Sequence, residues 1–317
     1  MLERDEDISP KAQVQEIIVT TIDTIRYSRL LILLIQNRIP TLYVGPTGTG
    51  KSVYIKNVLL KKLPKEDYRT IEIGFSAQTS ANMAQDIVDG RLDRRKKNLY
   101  GPPFPMKCVV FVDDLNMPKK EGYGAQPPIE LMRQLIDQKG WYDRKDPKHP
   151  FRNIIDTVVI AAMGTPGGGR TFITPRLMRH FNLIAFANFD DVVMTRIFTK
   201  ILDWYFGTRK FPLEITNLIT KIVHATMDVY KRASDNLLPT PTKSHYTFNL
   251  RDFSKVIQGI CMSDKDHVSN SDCMIRLWAH EVFYCIEYFL HFLILCFFWI
   301  ERSNAVFRFL ECLEIGL

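Results

Sequence analysis

The eight residues GPTGTGKS, positions 45–52, match the spacing GxxxxGK[ST] without a mismatch. They follow a short apolar run, TLYV, and open a stretch of helical period. Strand, glycine loop and helix in that order are the setting in which this pattern is a phosphate-binding loop. Glycines there let consecutive backbone N–H groups converge on an anion. Gly45, Pro46, Thr47, Gly48, Thr49 and Gly50 form the candidate cradle, continued by Lys51, Ser52 and Val53. Lys51 is expected to bridge the β- and γ-phosphates, and Ser52 to place its hydroxyl on magnesium. The ligands expected are therefore ATP or ADP with Mg²⁺.

A second stretch, VVFVDDLNMP (109–118), breaks from an apolar run into two adjacent carboxylates. Adjacent carboxylates repel, and burying them beneath a sheet edge is costly unless a cation meets them. In P-loop proteins a later strand ends in an acidic residue that holds the magnesium. Asp113 is the candidate for that role. Asp114 stands where a glutamate often polarises the attacking water. An aspartate reaches about 1.5 Å less far, and a misplacement of about 1 Å can cost about a hundredfold in rate. Tight binding with slow hydrolysis is the expectation.

Three arginines complete the candidates. Arg176 and Arg179 lie in TPRLMRHF (174–181), which reads as a short helix before a strand. In ring ATPases such a helix presents an arginine to a neighbour's γ-phosphate, worth about 10³–10⁵ in rate where it is used. Arginines solvating a short helix are the plainer alternative. Arg251 begins a later helix and could fold back onto bound nucleotide.

The elements that must position these residues alternate. Strands are expected at 41–45, 70–75, 108–112, 157–163 and 182–188. Helices are expected at 14–37, 49–63, 80–92 (capped by Ser80), 126–137 and 174–181 (capped by Thr174). Continuous apolar strands between helices indicate an α/β fold with a five-stranded parallel sheet covered on both faces. From residue 190 onward the pattern is helical only, with Asn249 and Asp252 spaced as a capping box. The expected organisation is an α/β nucleotide-binding domain (1–189), a small all-helical lid (190–284) and an apolar tail (285–317).

Composition narrows the class further. Of 317 residues 46% are hydrophobic and 24% charged, as in ordinary globular proteins. The net charge of +7 favours acidic partners such as nucleotide. The basic residues are dispersed, and no arginine–aromatic interleaving points to nucleic acid. The densest cluster, RLDRRKK (91–97), reads as a solvated helix end. The six cysteines show no CxxC spacing, and no zinc ligand set can be assembled from them and the histidines. The acidic N-terminus MLERDEDISP resembles neither a signal nor a transit peptide. A reducing, cytosolic setting is the expectation. FYCIEYFLHFLILCFFWI (283–300) is about long enough to span a bilayer, but Glu287 and His291 weigh against insertion. A membrane partner is not expected.

Taken together, GPTGTGKS, FSAQTSANMAQDIVDGRLDRR, FVDDLNMPKKEGYGAQPPIELMRQ, GWYDRKD, AAMGTPGGGRTFITPRLMRHFN and YTFNLRDFSKVIQGI resemble the third AAA+ module of an axonemal dynein heavy chain. The likeness runs from about residue 8 to about 283. It implies an AAA+ P-loop fold with a helical lid, one of six modules in the ring of a microtubule motor. It implies a secondary nucleotide site that gates the main hydrolysing module. By motif it assigns Arg251 as the sensor arginine, and Arg176 or Arg179 as the group reaching the preceding module's nucleotide. Ile18 and Val19, in IVTT, match the adenine-contacting segment. The partners implied are neighbouring AAA+ modules and, through the parent protein, other dynein chains and microtubules. The location implied is the cytoskeleton of the ciliary or flagellar axoneme.

Two departures stand out. Gly164 occupies the place where many AAA+ proteins carry a water-orienting asparagine, a second reason to expect weak hydrolysis. The apolar sequence after WAHEVF is unlike the family, as in a truncated or alternatively spliced product. An autonomous ring-forming ATPase and a non-catalytic scaffold fragment stay open beside the regulatory module.

Overall fold

The computed structural model describes residues 8–10, 12–167, 169–236, 248–268 and 270–287. The chain divides into two compact units: Ile22–Asn188, and the residues up to Thr21 together with those from Phe189.

The first unit contains α1 (Ile22–Gln36), β1 (Thr41–Val44), α2 (Lys51–Asn57), β2 (Tyr68–Gly74), α3 (Ala81–Asp89), β3 (Asp93–Lys96), β4 (Leu99–Gly101) and β5 (Lys107–Asp113). It continues with α4 (Pro127–Gln138), β6 (Gly140–Tyr142), β7 (Phe151–Ile154), β8 (Thr157–Met163), α5 (Pro175–Met178) and β9 (Asn182–Ala185). Strands β2, β5, β8, β1 and β9 lie side by side in that order, every pair parallel. The central strands are buried on both faces; Cys108 through Val112 of β5 are fully enclosed. That is why they read as unbroken apolar runs, each side chain contributing about 1.5–3 kcal/mol on burial. Val44 pairs with Met163, Val112 with Ala161 and Gly74 with Asp113. The carboxyl ends of these strands therefore share one edge, and both chemical motifs leave from it.

The helices follow their sequence signals with adjustments. Ser80 Oγ accepts from Met83 N at 3.2 Å and caps α3 as expected. Thr174 makes no side-chain cap; Pro175 at the first position of α5 fixes the helix start instead. Residues 14–37 are not one helix: a 3₁₀ turn (Val14–Glu16) precedes extended chain, and α1 begins only at Ile22. α2 passes into a π-helical turn (Val58–Lys62), closed by Leu63 N donating to Val58 O at 3.0 Å. Val58 and Leu59 are buried, whereas Val53 is exposed.

A second sheet is absent from the sequence reading. Strands β3, β4, β7 and β6 form it in that order. The basic cluster expected at a helix end is the edge strand β3. Its Arg95 turns inward, donating to Pro102 O and pairing with Asp156 at 2.7 Å, while Arg94 and Lys96 stay exposed. Charged residues on an unpaired edge oppose edge-to-edge association.

The second unit is helical: α6 (Asp191–Arg209), α7 (Leu213–Thr216), α8 (Ile219–Asn236), α9 (Leu250–Ile260) and α10 (Ser271–Glu287). Its core gathers Phe198, Leu202, Phe206, Val223, Phe253, Ile257 and Trp278. Trp278 Nε1 donates to the buried Thr226 Oγ1 at 2.9 Å. The capping box at α9 is present, with Asn249 N donating to Asp252 Oδ2 at 3.1 Å. The two units divide at residue 189, and the segment up to Thr21 joins the helical unit. Val19 is buried in that core, with Val14 and Ile17 packed against it. The expected tail at 285 starts inside α10; its remainder lies outside the described residues, as does most of the apolar stretch 283–300. Among the described residues no helix is long and apolar enough to cross a membrane.

Candidate functional site

The loop between β1 and α2 is shaped by two glycines with positive φ, Gly48 at 88° and Gly50 at 77°. A side chain is disfavoured in that region, and a Cβ at Gly50 would also stand 3.2 Å from the Tyr54 ring. The turn brings Lys51 back over its own loop. Its Nζ donates to Gly45 O at 2.8 Å, to Pro46 O at 2.5 Å and to Thr49 Oγ1 at 3.3 Å. Beneath the loop, Phe186 stacks on Tyr27 at 3.9 Å and meets the edge of Tyr43 at 5.2 Å. Gly45 passes so close that a Cβ there would stand 2.6 Å from Phe186 O.

Sixty-one residues further along, Asp113 ends β5 directly beside this loop. Ser52 Oγ donates to Asp113 Oδ1 at 2.7 Å. The hydroxyl and carboxylate expected to share a metal are thus in contact. Hard oxygen donors of this kind suit Mg²⁺, which is held by one or two protein oxygens together with substrate phosphates. The converging glycine loop, the lysine and this oxygen pair fit a nucleotide with its magnesium.

Asp114 leaves the strand with φ 52° and donates its backbone N–H to Asp113 Oδ1 at 3.1 Å. Its half-exposed carboxylate pairs with Arg170 Nη2 at 3.8 Å. Arg170 Nη1 donates in turn to Thr47 Oγ1 of the cradle at 2.7 Å. Gly164 lies under this guanidinium, so its missing side chain is space that Arg170 fills.

A strap of buried amides fixes the two loops to each other. Asn116 Nδ2 donates to Gly164 O at 2.8 Å, and Asn116 O accepts from Thr171 N at 2.9 Å. Gln126 Nε2 donates to Pro118 O and to Thr171 Oγ1, each at 2.7 Å. Sequence reasoning assigned no role to Arg170, Asn116, Gln126 or Thr171. The only signal was their place inside the quoted motifs, GGGR and DDLNMP…GAQPP.

The remaining candidates belong to other elements. Arg176 and Arg179 are exposed on and just after α5, and Arg179 Nε donates to His180 Nε2 at 3.3 Å. Among the described residues, no hydrogen bond or ion pair joins either to the glycine loop. Arg251 belongs to the helical unit, exposed in the first turn of α9, where its backbone N–H donates to Asn249 Oδ1 at 2.8 Å. Ile18 and Val19 belong to that unit as well; Ile18 is half-buried and Val19 is buried in its core. Burial pushes the Cys108 and Cys261 thiols up to about 12, away from the reactive range.

The comparisons with known proteins agree with this geometry. A family model described as the P-loop containing dynein motor region matches residues 6–189, and an AAA+ lid domain model matches 222–287. Mouse dynein axonemal heavy chain 12 is 53% identical over 272 residues, covering 86% of this chain and 9% of that protein. Mouse dynein axonemal heavy chain 3 is 50% identical over 279 residues, covering 88% and 7%. Human dynein axonemal heavy chain 1 is 48% identical over 282 residues, covering 86% and 7%. The chain spans under a tenth of the length of these curated relatives. With an AAA+ P-loop sheet, a helical lid and half its residues shared over most of its length, the chain belongs to the axonemal dynein heavy-chain family, within the ATP-binding motor region.

Proposed function

We propose that this chain is a nucleotide-binding regulatory module of a dynein ring, the third AAA+ module by its motifs. It holds ATP or ADP with Mg²⁺, hydrolyses ATP slowly and gates the motor activity of the larger protein. The 2.7 Å contact between Ser52 Oγ and Asp113 Oδ1 carries the binding half of the reading, because it joins two motifs that are meaningful only together. Magnesium, when bound, neutralises charge that spreads over the β- and γ-phosphates. Ser52 and Asp113 would hold it, while Lys51 and the N–H groups of residues 47–52 would hold the phosphates.

Two features support slow hydrolysis. Asp114 is short, and Gly164 offers no side chain to orient a water. By their motifs alone, Arg251 is assigned as the sensor arginine, and Ile18 and Val19 as the adenine-contacting segment. The relatives are named as axonemal. By that likeness the chain works in the axoneme of cilia or flagella, among neighbouring AAA+ modules, with microtubules contacted through the parent protein.

Thermal melting of the full chain tests the binding site. ATP·Mg²⁺ at about 100 times its Kd should add roughly 2.7 kcal/mol of stability. Lys51→Ala should lose most of that gain while melting normally without ligand. A wild-type chain that melts at the same temperature with and without ATP·Mg²⁺ has no such site.

A further inference from the structure

We propose that Arg170 is the residue by which this site distinguishes a nucleoside triphosphate from a diphosphate. Two contacts locate its guanidinium. Nη1 donates to Thr47 Oγ1 at 2.7 Å, on the residue next to Pro46, whose carbonyl accepts from Lys51 Nζ. Nη2 faces Asp114 Oδ1 at 3.8 Å, one residue beyond the carboxylate that contacts Ser52. The P-loop lysine reaches the β- and γ-phosphates, and the metal held at the strand tip bridges the same two groups. Arg170 therefore touches residues beside both landmarks of the terminal-phosphate end of the cradle.

Its present partners are easily given up. The Asp114 pair is long, and its carboxylate is half exposed, the class of ion pair that contributes little. A phosphate oxygen offers the same guanidinium a shorter, charge-assisted hydrogen bond. A diphosphate ends before that position and leaves Arg170 on Asp114. The triphosphate takes it, which also releases the Asp114 carboxylate. The arginine is firmly based: Arg170 N donates to Gly167 O at 3.1 Å, Gly167 N donates to Arg170 O at 3.2 Å, and the next residue is tied to Asn116. The glycine at 164 belongs to the same device, since a Cβ there would stand 2.2 Å from Nη1 and 2.4 Å from Cζ. On this reading Gly164 admits a cation from the following loop.

This rests on the nucleotide-site reading, and the two fail separately. The measurement is calorimetric affinity of the full chain for ADP·Mg²⁺ and for a non-hydrolysable ATP analogue with Mg²⁺. Arg170→Gln should weaken the triphosphate analogue by about tenfold to a hundredfold and leave ADP within about twofold. Gly164→Ala should act in the same direction with the arginine retained. Its new methyl meets the end of a flexible side chain, so the fold tolerates it. Melting curves without ligand confirm that both variants fold. An unchanged ratio of the two affinities in Arg170→Gln, or equal weakening of both, overturns the role of Arg170 while leaving the site intact. A wild-type chain that binds neither nucleotide removes the site and this role together.

Discussion

At the scale of single residues, the aspartate at 114 answers two demands. Its φ of 52° is a conformation that aspartate and asparagine adopt more readily than longer side chains. The short carboxylate thus suits the backbone, and on the proposed reading it is also weakly placed to activate water. Asp114→Glu should therefore raise single-turnover hydrolysis, by up to about a hundredfold, while costing about 1 kcal/mol of stability. Rapid-quench measurement beside a melting curve separates the two effects. A variant that folds and turns over no faster shows that reach at 114 is not what limits the rate. The Lys51, Ser52 and Asp113 cluster was legible in the sequence because each of its parts sits at a fixed offset in a loop or at a strand end. Arg170 was not, because its approach depends on a turn at Gly167 and on empty space above Gly164. Neither is a spacing.

At the scale of elements, the parallel sheet could be read because its strands are buried on both faces and announce themselves as apolar runs. The second sheet could not. Its strands are three or four residues long, and it is held by charges whose pairing is invisible in one dimension. Arg152 on β7 is the centre. It pairs with Asp89 at 3.1 Å and with Asp143, and it lies over the Tyr100 ring at 4.7 Å. Asp89 also accepts from Trp141 Nε1 at 3.0 Å. Truncating Arg152 to alanine leaves two largely buried carboxylates without their cation and should cost about 3–5 kcal/mol. The two acids respond oppositely. Burial raises the pKa of Asp89 by more than Trp141 and Arg152 lower it. Burial also pushes Asp143 up, but the Lys145 N–H and Arg152 outweigh it, and the net shift is downward. A lowered carboxylate contributes stability that is present above its unfolded value, near 3.9, and is lost as pH falls through the folded one. A raised one opposes folding at neutral pH and stops doing so on protonation. Urea melts at pH 7 should therefore show Asp143→Asn to be costlier than Asp89→Asn, with the gap narrowing below about pH 4. Equal costs at pH 7 would mean that Arg152 favours neither acid.

At the scale of the whole molecule, the α/β unit carries exposed features without a described contact to its glycine loop. Arg176 and Arg179 are exposed on or beside a four-residue helix, and no contact described here joins them to the cradle in the same unit. Phe172 beside them is 59% exposed. Two long cations and a bare aromatic gain nothing from such exposure in an isolated domain. They gain a role if another module's phosphates lie opposite, as in a ring built from one long polypeptide. The relatives, more than ten times longer than the matched segment, are of a size to supply such neighbours. Alanine at both arginines should leave the isolated chain's affinity for ATP·Mg²⁺ within about twofold and its single-turnover rate unchanged, because a finger acts on a neighbour's nucleotide. The same substitutions in a parent heavy chain should slow the adjoining module. Sedimentation with ATP·Mg²⁺ supplies the control. A monomer whose rate is insensitive to the double substitution fits a module made for a covalent ring. A hexamer whose rate falls with it would make this chain an enzyme that assembles its own ring, with Arg176 or Arg179 reaching the next copy.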